Sequence, residues 1–211
     1  MFMKSLLPKT ARACLLALGA LALWSGTAGA QTVTISNLWS ISTTNGRPYL
    51  TNASATSYTE RGATYSAFRN HAYIVSRATT PPTVAILDGD TGAHIGALNV
   101  MGVIPQGTPN GTFALSTIGV SDDGDIYAAN LTVSVANGPF RIYRWTNEVD
   151  PPVLVYSGNP SANRYGEAID VDPANQILVG VETANAGATT WTCALIPAAR
   201  PKCCSAPATA S

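Results

Sequence analysis

The densest group of side chains that could do chemistry is the acidic segment 121–125, with carboxylates at Asp122, Asp123 and Asp125. Hard oxygen ligands held on a turn are what a calcium ion prefers. The segment lacks the downstream Glu of an EF-hand loop, and a plain hairpin turn uses the same residue types. We therefore predict these three aspartates as candidate metal ligands. We expect no cofactor, and a calcium ion held by these aspartates is the alternative to a plain turn.

A second acidic group follows at Glu167, Asp170 and Asp172. The two aspartates alternate with apolar residues, which would place both carboxylates on one face of a strand. Such a group could act as an acid/base pair in a hydrolase. A strand that ends in Asp-Pro is also typical of a capped turn. Neither His71 nor His94 has a partner that spacing can nominate, so a Ser-His-Asp triad is unsupported.

Aromatic side chains are scattered among Asn, Ser and Arg, a mixture that suits recognition of a sugar or a peptide. The alternative is that these rings fill the gaps between stacked sheets. Arg61, Arg77 and Arg164 are candidates for the lining of a central funnel. The aromatic set is Tyr49, Tyr58, Tyr65, Tyr127, Tyr143, Trp145, Tyr156 and Tyr165.

The elements that must hold these residues are predicted by a repeat with a period of about 50 residues, the range expected for propeller blades. Tyr65–Ile74, Ile118–Tyr127 and Ile169–Leu178 share one plan. Each has a short apolar strand, a polar turn and a second apolar strand. This pattern predicts three β-hairpins, each buried on one face.

Further strand pairs follow the first two hairpins. Val84–Leu87 leads through a turn to Ile95–Val100, and Phe140–Trp145 leads to Val153–Tyr156. Helical periodicity is nearly absent after residue 30. We therefore predict an all-β fold, a partial and incomplete β-propeller of about three four-stranded, blade-like repeats. A β-sandwich is the alternative, because it also has short strands and frequent turns.

The first 30 residues predict a signal peptide. Lys4, Lys9 and Arg12 precede an uncharged run over residues 13–24, and small residues end at Ala30. The run is too short to span a bilayer. The alternative is a membrane anchor that is not cleaved off. We expect a secreted or periplasmic protein with no membrane contact after cleavage. The remaining chain carries a formal charge of about −3 and no basic stripe, which argues against a nucleic-acid partner.

The predicted domain organisation is a signal peptide over 1–30, a propeller-like repeat domain over 31–182 and a low-complexity tail over 183–211. The tail turns to Ala, Thr, Pro and Cys within the third repeat. We expect a disordered or aberrant end, produced by truncation or by a shifted reading frame. About two and a half blades would leave open sheet edges.

Seven stretches of the chain carry a likeness to known proteins: Arg47–Leu50, Glu60–Gly62, Val75–Arg77, Leu98–Val103, Ile118–Val120, Asp123–Leu131 and Tyr143–Trp145. On these residues the chain resembles a group of exported bacterial proteins that carry a propeller-like domain of unknown function. The likeness covers about residues 38–182 and departs after residue 183. It implies a fold and an address outside the cytoplasm, and it implies no activity. The turn Asp88–Gly92 separately resembles the turn between outer strands in quinoprotein-type propeller repeats.

These observations predict an exported, non-catalytic binding or interaction module of propeller-like fold. Its ligand is unknown, and we expect the chain to be a fragment of a propeller. The sequence leaves the partner unknown, with a carbohydrate or a protein surface as the candidates. The alternative is a calcium-dependent hydrolase or lactonase of propeller type that uses Glu167, Asp170 and Asp172. A third reading is a structural surface protein without a small ligand.

Overall fold

The computed structural model describes residues 36–42, 49–50, 59–107, 109–159, 164–172, 175–185 and 188–197, with only the backbone described over 181–197. The chain divides into two compact units, Met1–Asn37 and Leu38–Ser211. All of the described strands belong to the second unit. The predicted signal peptide, residues 1–30, lies outside the described residues.

Eleven strands form three antiparallel sheets, and within each sheet the strands are ordered as they are along the chain. Sheet 1 contains β1 (Glu60–Ser66), β2 (His71–Ser76), β3 (Thr83–Asp88) and β4 (His94–Ala97). Sheet 2 contains β5 (Phe113–Val120), β6 (Ile126–Leu131), β7 (Phe140–Trp145) and β8 (Val153–Gly158). Sheet 3 contains β9 (Arg164–Val171), β10 (Gln176–Asn185) and β11 (Ala188–Pro197).

The all-β prediction is confirmed. The described residues contain no α-helix, only a short 3-10 turn at Val135–Asn137. Each of the three predicted hairpins is present as the first strand pair of its sheet, β1–β2, β5–β6 and β9–β10. Within the described part of the chain, no helix has the length and apolar character needed to cross a membrane.

Sheet 2 is buried on both faces, and strand β6 shows why. Because successive strand residues point to opposite sides, Ile126 and Ala128 pack with residues of sheet 1, including Tyr73. The intervening Tyr127 packs with residues of sheet 3, including Ile177. All six residues of β6 are buried. The sequence of this strand, which is apolar or aromatic at every position except Asn130, therefore follows from its position between two other sheets.

The first strands of the three sheets lie next to one another, with β5 in contact with both β1 and β9. At Gly62 the backbone of β1 comes close to the backbone of β5. A Cβ atom at this position would lie 2.9 Å from the carbonyl oxygen of Ser116 and 2.9 Å from the Cα of Thr117. A residue without a side chain is therefore required where the two backbones meet.

The other face of sheet 1 is covered by the segment that precedes β1. Tyr49, which is 2% exposed, packs there with Ala85 and Leu87 of β3, and Trp39 joins the same cluster. The segment before β1 thus completes the core of sheet 1 and also places an indole ring beside its turns.

The third sheet continues past the predicted domain boundary at residue 182. That boundary falls inside β10, whose pairing with β11 runs from Gln176 opposite Pro197 to Asn185 opposite Ala188. The predicted properties of residues 198–211 concern a segment outside the described residues.

Candidate ligand-binding site

A surface pocket of about 420 Å³ lies at the end of sheet 1 where the β1–β2 and β3–β4 turns meet. Its volume is within the range of about 300 to 1,000 Å³ that is usual for small-ligand sites. Two turns and the segment before β1 supply its walls. The lining residues are Leu38, Trp39, Tyr65, Asn70, Gly89 and Asp90.

The β3–β4 turn is built around the carboxylate of Asp88. Its Oδ1 atom accepts hydrogen bonds from the backbone N–H of Asp90 (3.1 Å), the N–H of Thr91 (2.8 Å) and the Thr91 hydroxyl (2.7 Å). The Thr91 hydroxyl bond is the largest cause that lowers the pKa of Asp88. Gly92 closes the turn with a φ of 67°, a conformation that favours glycine. This turn presents the Asp90 side chain to solvent.

The β1–β2 turn supplies the polar centre of the pocket through Asn70, which has a φ of 55°. Its side-chain Oδ1 accepts a hydrogen bond from the Tyr65 hydroxyl (2.7 Å), and its Nδ2 donates to Asp90 Oδ2 (2.8 Å). Its carbonyl accepts from the N–H of Gly89 (2.8 Å). One asparagine therefore ties the two turns together and fixes the directions of Tyr65 and Asp90.

Trp39 lies in the segment before the sheet and is held against the β3–β4 turn. Its Nε1 donates to the carbonyl of Gly89 (2.7 Å). A Cβ atom at Gly92 would lie 2.6 Å from the indole ring, so the ring rests directly on the turn backbone. A Cβ atom at Gly89 would lie 2.5 Å from Asn70 Oδ1 and 2.8 Å from a ring carbon of Tyr65. Both glycines are thus needed for the shape of the site.

The pocket combines apolar ring surface with a few oriented polar groups. Tyr65 is 54% exposed and Leu38 is 72% exposed, so the site is open to solvent. The carboxylate of Asp90 can accept about four hydrogen bonds, and the bond from Asn70 uses one of these positions. The arrangement can bind a small ligand that has an apolar face and hydrogen-bond donors.

The candidate metal ligands Asp122, Asp123 and Asp125 lie in the β5–β6 turn. Asp122 and Asp123 are exposed, and Asp125 is half-buried. The Ser121 hydroxyl donates to Asp123 Oδ1 (2.5 Å) and accepts from the N–H of Asp125 (3.1 Å), as a hairpin turn requires. No group of three His, Cys, Asp or Glu side chains among the described residues could hold a metal ion. The calcium site stays a prediction.

The second acidic group is divided among local contacts. Glu167 Oε1 accepts a hydrogen bond from Arg164 Nε (2.7 Å). Asp172 caps the β9–β10 turn, where its Oδ1 accepts from the N–H of Gln176 (2.7 Å) and its Oδ2 from the Gln176 side chain (3.0 Å). Asp170 is exposed and accepts from the N–H of its neighbour Val171 (2.9 Å). Asp172 therefore takes the role of a turn cap.

A polar cluster of one glutamate, one histidine and one tyrosine, which sequence spacing could not identify, joins sheets 1 and 2. Glu148, in the β7–β8 turn, accepts a hydrogen bond from the Tyr73 hydroxyl (2.6 Å) and pairs with His71 Nδ1 (2.7 Å). Burial, followed by the bond to Glu148, raises the pKa of Tyr73. His94 lies elsewhere, with its ring 5.0 Å from that of Tyr49. The structure does not bring the two histidines together with a nucleophile.

Most of the predicted aromatic residues pack between sheets. Tyr127, Tyr143, Trp145 and Tyr165 are each at most 1% exposed, whereas Tyr65 lies in the pocket. Tyr58 lies outside the described residues, while Tyr49 is buried against sheet 1 and Tyr156 packs partly buried beside sheet 3.

The three predicted funnel arginines have separate surroundings. The Arg77 guanidinium lies 3.7 Å from the centre of the Phe113 ring. Burial lowers the pKa of Arg77, and the charge of Arg61 lowers it further. Arg61 is exposed, and Arg164 pairs with Glu167.

Sequence reasoning identified Tyr65 as a candidate but missed Trp39, Asn70, Gly89 and Asp90 as parts of one site. The β1–β2 and β3–β4 turns could have been placed together from the sequence. In an antiparallel sheet whose strands follow chain order, alternate turns lie at the same end of the sheet. Trp39 had no such signal, since it precedes the first repeat.

No protein-family model matches the chain, and no curated protein matches it. Among solved structures, the chain is similar to a DUF4623 family protein from Bacteroides eggerthii DSM 20697, at 23% identity and a TM-score of 0.47, over 66% of this chain and 36% of that one. It is also similar to the PQQ-bound aldose sugar dehydrogenase from Streptomyces coelicolor, at 22% identity and a TM-score of 0.41, over 58% of this chain and 37% of that one. The chain spans little more than a third of the length of these two proteins.

Proposed function

We propose that the chain is an exported, non-catalytic binding module whose sheets are blades of an incomplete β-propeller. Three features support the architecture. Sheets 1 and 2 each have four antiparallel strands in chain order, the sheets stack face to face, and their first strands lie side by side. A β-sandwich has two sheets, so the third stacked sheet favours blades.

The pocket at the end of sheet 1 carries the proposal that the module binds a ligand. Its polar groups are oriented before any ligand arrives, because Asn70 fixes both Tyr65 and Asp90. A site that needs little ordering on binding loses less conformational entropy. The two lining side chains that could exchange protons, Tyr65 and Asp90, are both hydrogen-bonded to Asn70, an arrangement that suits fixed recognition groups.

A ligand screen with a matched pair of glycine variants tests this proposal. We expect saturation-transfer NMR on the exported chain, with a library of oligosaccharides, peptides and nucleosides, to detect at least one bound compound. Gly89→Ala should abolish that signal, because the new Cβ meets Asn70 and Tyr65. Gly96→Ala in β4 should retain it, since a Cβ there meets no atom within 4 Å.

Two results would contradict the proposal. One is that no compound in the library binds. The other is that the bound compounds give equal signals with Gly89→Ala and Gly96→Ala while both variants remain folded, which would place binding elsewhere on the molecule.

A further inference from the structure

We infer that the pocket recognises a neutral carbohydrate, whose pyranose ring lies against Trp39 and Tyr65 while its hydroxyl groups donate hydrogen bonds to Asp90. This inference rests on the proposed function, because it names the ligand class of the same site.

The pocket offers aromatic ring surface on which a sugar ring can pack. A pyranose with equatorial hydroxyls has two faces of C–H groups, and such faces pack on aromatic rings. Trp39 and Tyr65 supply two rings in one pocket, and both are fixed at their polar ends by hydrogen bonds to the turns. Fixed amphipathic rings offer contact area at low cost in conformational entropy.

The pocket also offers hydrogen-bond acceptors to the hydroxyl groups of a sugar. The Asp90 carboxylate only accepts hydrogen bonds, and it is exposed at the rim with one oxygen already bonded by Asn70. Neighbouring hydroxyls of a sugar are donors at the spacing of the two carboxylate oxygens. The Asn70 amide and the Tyr65 hydroxyl extend the same polar row. A polyol matches this row of acceptors and amphoteric groups.

Charge distinguishes neutral from acidic sugars. Asp90 lines the pocket, and Asp88 lies two residues away in the same turn. The nearby Arg69 guanidinium is directed to the carbonyls of Gly124, in the β5–β6 turn, and of Thr146, directly after β7. The negative carboxylates therefore disfavour uronates and sulfated sugars through like-charge repulsion.

The shape of the site distinguishes a sugar from a small organic cation. A quaternary ammonium ion is recognised best when ring faces enclose it on several sides. Here Tyr65 is 54% exposed and the third apolar neighbour, Leu38, is 72% exposed. An open platform suits an extended chain that passes over the surface, which a glycan provides.

Isothermal titration with three probes tests the inference: cellohexaose, tetragalacturonate and tetramethylammonium chloride. We expect cellohexaose to bind. Tyr65→Ala should weaken its binding by about tenfold or more through loss of the ring, while Tyr65→Phe should weaken it by less. Asp90→Ala should also weaken it by about tenfold. Gly96→Ala is the matched control, with unchanged affinity.

Binding of tetragalacturonate or tetramethylammonium without cellohexaose would overturn the inference. So would cellohexaose binding that Tyr65→Ala and Asp90→Ala leave unchanged. If the earlier screen finds a peptide or nucleoside that depends on Gly89 while no sugar binds, the carbohydrate inference fails and the binding function stands. If no compound depends on Gly89, both fail.

Discussion

The carboxylate of Asp88 organises the turn on which Asp90 and Trp39 both depend. It accepts three hydrogen bonds within four residues, and all three favour its charged form. The folded state therefore binds a proton at Asp88 less readily than the unfolded chain does. A turn that looks purely structural thus makes the edge of the pocket sensitive to acid.

We expect this turn to lose stability below about pH 4, the ordinary range of an aspartate. Because the folded pKa is lowered, the contribution of Asp88 is fully present above the unfolded pKa and is lost as the pH falls through the folded value. Thr91→Val should move the pKa of Asp88 back toward its ordinary value, since the hydroxyl bond is the first cause of the shift. Carboxyl-carbon NMR titration measures the pKa of Asp88 in the wild type and in Thr91→Val. An Asp88 that titrates at its ordinary value in the folded wild-type chain would contradict this account.

Sheets 1 and 2 are joined by polar side-chain contacts at the end where the β1–β2, β5–β6 and β7–β8 turns lie. Arg69, in the β1–β2 turn, donates to the carbonyls of Gly124 and Thr146. Glu148 accepts from Tyr73 and pairs with His71, both in β2. These polar contacts lie beside the apolar cluster that includes Tyr73 and Trp145. They fix the relative positions of two sheets that apolar packing alone would hold less specifically.

Glu148→Ala should destabilise the fold by about 1 to 3 kcal/mol, because it leaves the half-buried His71 ring and the buried Tyr73 hydroxyl without their acceptor. Glu148→Gln keeps an acceptor oxygen and should cost less. Urea unfolding of the two variants beside the wild type measures the difference. Equal stability of Glu148→Ala and wild type would show that water replaces the carboxylate without loss.

The hairpins could be predicted from the sequence because their information is local. Alternating apolar residues on either side of an Asn-, Asp- or Gly-rich turn specify β5–β6 within a dozen residues. The pairing of Glu148 with His71 could not be predicted, since 77 residues separate them and only the stacking of two sheets brings them together. The pocket was missed for a related reason: Trp39 and Gly89 lie 50 residues apart. Local periodicity predicts the strands, whereas the site depends on how strands and flanking segment assemble.

At the scale of the whole molecule, the stack of three sheets makes the middle sheet the centre of the core. Strands β6 and β7 send alternate side chains to the two neighbouring sheets, so each apolar face of sheet 2 belongs to a different cluster. Exposed apolar residues are found on the outer strands, such as Val153 and Leu154 of β8. Stability should therefore depend on both faces of sheet 2 and little on the outer strands.

Truncation on either face of sheet 2 should be costly. Ile126→Ala removes a side chain from the cluster with sheet 1, and Ile142→Ala removes one from the cluster with sheet 3. Both are fully buried, so each should lower the free energy of unfolding by about 2 to 5 kcal/mol. Ile95→Ala on β4, where the side chain is 52% exposed, is the matched control and should cost far less. Guanidinium unfolding followed by Trp fluorescence measures all three. A near-neutral Ile142→Ala would mean that sheet 3 does not cover sheet 2 in solution, and the stacked arrangement that supports the blade interpretation would then be wrong.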